Sequence, residues 1–103
     1  GTPAVASEET PELLWAQVHT IDARVQDTRA KARLDLHRGL TSAAIHRFQA
    51  IISDLRVETA LLGRLYELDR DVDKRTAALV GLGVAQEEIT RAQEFVHLLK
   101  RME

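Results

Sequence analysis

Apolar residues in this chain return in steps of three and four, and no proline interrupts it between Pro11 and the Gly81-Leu82-Gly83 stretch. That spacing stacks side chains on one face of a 3.6-residue helix, whereas a half-buried strand would alternate every second residue. The expected fold class is therefore all-α: a long antiparallel helical hairpin plus a shorter third helix, a three-helix bundle able to dimerise into a larger one. With 103 residues, 45% of them hydrophobic and 29% charged, one such domain uses the chain. Residues 1–9 are small, polar and aperiodic and read as a flexible lead-in after a processing boundary, leaving 10–103 as a single helical domain.

Thr10, Pro11 and Glu12 form a helix start, with a hydroxyl to cap orphan amides, a proline that needs no donor and an acid at the positive dipole end. Leu14, Val18, Ile21, Val25, Thr28, Ala32 and Leu36 carry the seam to a stop at Gly39, giving a first helix over 11–38, about 42 Å long. Thr41 or Ser42 can cap the second helix, whose seam runs through Ile45, Phe48, Ile52, Leu55, Thr59 and Leu62. Its expected span is 42–80, with a break at Asp69-Arg70-Asp71 as the competing reading, because three Asp in five positions weaken a helix and can cap a new one. A third helix over 86–102, stapled by Val84 and Ile89, presents Ile89, Ala92, Val96 and Leu99 as its inner face.

These lengths carry a functional expectation. The short first turn pairs residues whose numbers add to about 80, which sets Val25 near Leu55, Ala32 near Phe48 and Trp15 near Leu65. The same reasoning brings Leu99 to Leu68, so that Trp15, Leu65, Leu68 and Leu99 share one core. A short third helix would leave the first hairpin's open end bare, exposing an apolar stripe of Leu34, Leu36, Phe48, Ile51 and Ile52 to a partner helix or a second copy. The rival arrangement has the third helix or the N-terminal tail lying over that stripe. A non-enzymatic interaction or assembly module, homodimeric or docked to a protein partner, is the expected function.

Composition narrows the alternatives. Fourteen Lys+Arg against 16 Asp+Glu give a net charge of −2, without the positive field of a typical nucleic-acid binder. There is no Cys to ligate zinc or act as a nucleophile, and no apolar run of membrane-spanning length. Arg24, Lys31 and Arg38 stand on one edge of the first helix, with Arg29 and Arg33 on the other. They are candidate anion-binding residues, for a small ligand or enzymatic substrate or for RNA, with salt bridging to acids such as Asp54 and Glu58 as the plainer alternative.

Asp69-Arg70-Asp71-Val72-Asp73 opens like a calcium loop, but Lys74 and Val80 occupy the positions of the turning glycine and the bidentate acid. His19, His37, His46 and His97 include no pair three or four apart on one helix face. No phosphate loop or nucleophile motif is present, so catalytic residues, metal and cofactor are all read as none.

Residues 12–22, ELLWAQVHTID, distantly resemble the opening of all-helical chorismate mutases, but Gln17 to His19 stand where that pattern has an arginine. The last segment, ITRAQEFVHLLKRME, looks a little like the final helix of chaperone-binding BAG domains and of the N-terminal bundle of some syntaxins. Ala85, Gln86, Glu87 and Glu88 replace the basic run of BAG domains. No residue role is carried over from these families.

Overall fold

Three aspartates decide the topology. In the computed structural model, which describes residues 9–103, the chain forms three helices: α1 (Pro11–His37), α2 (Thr41–Leu68) and α3 (Val72–Met102). Asp71 caps α3, its side chain accepting from the Lys74 N–H at 3.1 Å, and Asp69 accepts from the Asp71 N–H at 3.0 Å and from the Trp15 indole at 3.1 Å. Arg75 reaches back to the Tyr66 carbonyl at 3.0 Å, its guanidinium lying over the Tyr66 ring. These bonds replace those a continuous helix would make, so the expected span 42–80 divides at the competing position.

The 86–102 boundary changes as a result. Gly81 and Gly83 lie inside α3, held helical by the packing of Ala78 and Ala85, with Gly81 beside the Leu62 side chain. The lead-in over residues 1–8 lies outside the described residues, while Glu9 pairs with Arg64.

The first turn closes on Gly39 at φ 75°, with Leu40 N–H donating to the Asp35 carbonyl and Gly39 N–H to that of Leu36. This glycine turn delivers the chain directly into α2, whose N-cap is Leu40 without a side-chain bond, so neither Thr41 nor Ser42 caps. At the start of α1, Thr10 caps as its sequence implies, accepting from Leu13 N–H at 3.2 Å.

The α1/α2 register is the expected one: Arg24 pairs with Asp54 and Asp35 with Arg47, numbers adding to about 80. The α2/α3 register differs, because the turn lies at 69–71. Phe48 meets Phe95 edge to face at 5.0 Å, and Ser42 donates to Glu103 at 2.6 Å. Leu99 therefore joins Ile45, Phe48, Ile51, Ile52 and Leu55 in one core cluster, while Trp15 and Leu65 belong to another with Leu14, Val18, Leu62 and Ala78. The single core joining Trp15 to Leu99 does not form.

Both α1 and α3 pack along α2, but no Cα of α1 lies within 8 Å of one in α3. The bundle is a slab of 53 × 31 × 18 Å, with a groove between its outer helices and α2 as the floor. No helix among the described residues is long and apolar enough to cross a membrane.

Candidate functional site

The groove between α1 and α3 gathers residues from both expected sites. Arg29, Arg33, Leu36, Phe48, Ile51, Glu88, Arg91, Ala92 and Phe95 line a cleft of about 590 Å³ at its Gly39 end. Leu36, Phe48 and Ile51 thus lie together, but Phe48, Ile51 and Ile52 are buried beneath α3, which runs the full length of α2. The hairpin stripe is covered, as in the rival arrangement. Ile52 faces a different depression, beside Gln93 and Val96, and Leu34 is half-exposed away from both.

The basic residues divide in the same way. Arg29 is half-buried and bonds to Glu88 across the groove at 2.7 Å, and Arg33 lines the cleft with no acidic partner among the described residues. Arg24 pairs with Asp54 on the opposite edge, Lys31 with Asp27 on its own helix, and Arg38 sits exposed in the turn. Among the described residues, no group of three His, Asp or Glu side chains has metal-ligating geometry.

Deeper in the groove lies a group that the apolar pattern hides. Glu58 on α2 is 6% exposed, its Oε1 buried with no hydrogen-bond partner among the described residues, and burial, then the adjacent Asp22 of α1 and the charge of Glu88, push its carboxyl up to about 8. A carboxyl in such surroundings keeps its proton near neutrality. The expectation that Glu58 serves as a surface partner for arginine is therefore corrected. The one signal in the sequence is its place between Leu55 and Leu62, four residues before the latter, on the buried side of α2.

The second missed feature is on α3. Ala77, Val80, Val84, Glu88, Arg91, Phe95, Leu98 and Met102 follow one another in steps of three and four; Glu88, Arg91 and Phe95 line the cleft, while Leu98 borders a separate depression with Gln93, Glu94, His97 and Arg101. This seam is separate from the inner face of Ala78, Ala85, Val96 and Leu99. Its members stand out of the core, with Val80 61%, Val84 52%, Leu98 50% and Met102 72% exposed. The expected helix break at Gly81–Gly83 cuts this seam in two, which conceals it in the sequence.

No protein-family model, curated protein or solved structure matches this chain.

Proposed function

We propose that this chain is a non-enzymatic assembly module that associates through an exposed edge of α3. One observation carries the reading: α3 presents a second, exposed set of apolar residues at steps of three and four, interrupted by Glu88 and Arg91, while its first set is already buried against α2. Isolated exposed apolar residues are ordinary on a soluble domain, but a run of Val80, Val84, Phe95, Leu98 and Met102 along one helix edge is a helix-docking pattern.

The test compares Val84→Asp and Leu98→Asp with Val57→Asp, an exposed apolar position outside the seam. Light scattering on serial dilution is expected to show association in the parent chain and in Val57→Asp, with loss in both seam variants at unchanged helicity. Equal behaviour of all three variants would remove the seam from the function.

A second reading has an observation of its own. The half-buried Arg29, with Arg33 and Arg91, lines a cleft with an apolar floor, which is the form of an anion site. Titration with inorganic phosphate tests it by calorimetry: Arg33→Ala should abolish any heat of binding, and no heat in the parent chain would count against the site.

A further inference from the structure

We infer that the helix received by the α3 seam is α3 of a second copy, running antiparallel about a two-fold axis near Glu88 and Arg91. The inference rests on the assembly reading above and adds the identity and direction of the occupant. In an antiparallel helix pair, the numbers of facing residues add to a constant. Along this seam Ala77 then faces Met102, Val80 faces Leu98, Val84 faces Phe95 and Glu88 faces Arg91, all four pairs adding to 178 or 179.

Each pair is complementary in kind. A small or β-branched side chain meets a long or aromatic one in three of them, and the fourth sets Glu88, already bonded to Arg29 of its own chain, against a second base. A two-fold interface demands this self-complementarity, since every contact occurs twice. A parallel pairing would instead set Glu88 against Glu88 and Arg91 against Arg91, repelling at the centre of the seam.

The remaining groove charges agree with the same orientation. Helix α1 runs parallel to α3 with Arg29 level with Glu88, so Arg33 lies one turn further on, at the level of Ala92. The antiparallel copy carries Glu87 at that level, an acid at the height of Arg33, which has no acidic partner among the described residues. In the single chain Glu87 is held only loosely, by Arg91 at 3.6 Å with both side chains exposed.

The chain has no native cysteine, so directed cross-linking tests the geometry in the full chain. Val80→Cys and Leu98→Cys are prepared separately, both at exposed positions, and oxidised mildly alone and as an equal mixture, with Val57→Cys as a control. The expected result is a disulfide dimer in the mixture of Val80→Cys and Leu98→Cys and not in either variant alone, because like positions lie about 27 Å apart in this arrangement. Efficient cross-linking of Val80→Cys with itself would overturn the antiparallel geometry and leave association through the seam standing. A dimeric mass with no cross-link in any mixture would overturn the inference, with the seam itself judged by Val84→Asp. A monomeric mass throughout would overturn both the inference and the assembly reading.

Discussion

Replacing Glu58 by glutamine should make the protein more stable, and by an amount that grows with pH. The folded carboxyl sits at about 8 against an ordinary 4.5, chiefly because burial in the bundle desolvates it, and then because Asp22 and Glu88 face it from α1 and α3. Arg29, the other charged group at this level, is occupied by Glu88. Between those two values the folded chain holds a proton that the unfolded chain has released. Stability is therefore full below the unfolded value, falls as pH rises through the window, and reaches its floor above the folded value.

Glutamine keeps the shape of the protonated acid, can donate to Asp22, and does not titrate. Relative to the parent, the variant should gain less than about 1 kcal/mol at about pH 5 and on the order of 3 kcal/mol at about pH 7. Asp69 contributes no slope in that window: the Asp71 N–H, and secondarily the Trp15 indole, outweigh burial and hold it below the usual carboxylate value, so its stabilising effect is lost only as pH falls further. Urea unfolding followed by circular dichroism, at one low protein concentration, gives the two stability–pH profiles. Parallel profiles between about pH 5 and pH 7 would refute the reasoning, since no proton would then be held at Glu58.

Other substitutions probe the fold that positions the groove. Gly39→Ala, forced to φ 75°, should cost about 1 kcal/mol by thermal unfolding; an unchanged midpoint would mean that the turn relaxes. Asp71→Ala removes the cap of α3 and should cost about 1 kcal/mol, whereas no loss would argue against the Asp71 cap as what starts α3 there. Ile51→Asp should unfold the chain rather than merely weaken association, because Ile51 is 1% exposed beneath α3; a folded, monomeric variant would restore it as a contact residue.

The class of fold, the first turn and the α1/α2 register were legible because each rests on local chemistry: the Thr10-Pro11 start, the Gly39 stop and an uninterrupted apolar period. The second turn was harder to read because two local signals compete. Asp69 to Asp73 can sit on a solvated helix face, while Gly81 and Gly83 carry the stronger intrinsic penalty against helix, about 1 kcal/mol each. The deciding contacts are tertiary, namely the Trp15 indole on Asp69 and the packing of Ala78 and Ala85 that keeps α3 continuous.

Misplacing that turn by a dozen residues had two further effects. It left Phe48, Ile51 and Ile52 exposed on paper, and it assigned Ala77 and Val80 to a different helix from Val84, Phe95 and Leu98. Both the covered stripe and the seam on α3 follow from one corrected boundary. Glu58 escaped for a different reason: a buried acid carries no apolar signal, and its neighbour Asp22 is supplied by another helix.

The most direct measurement is the mass of the unmodified chain by sedimentation equilibrium over a wide range of concentration. A reversible passage from monomer to dimer, weakened at least about tenfold in dissociation constant by Val84→Asp and little altered by Val57→Asp, is the expected result. A monomer at every concentration would contradict self-association through α3 and leave the groove to the anion reading.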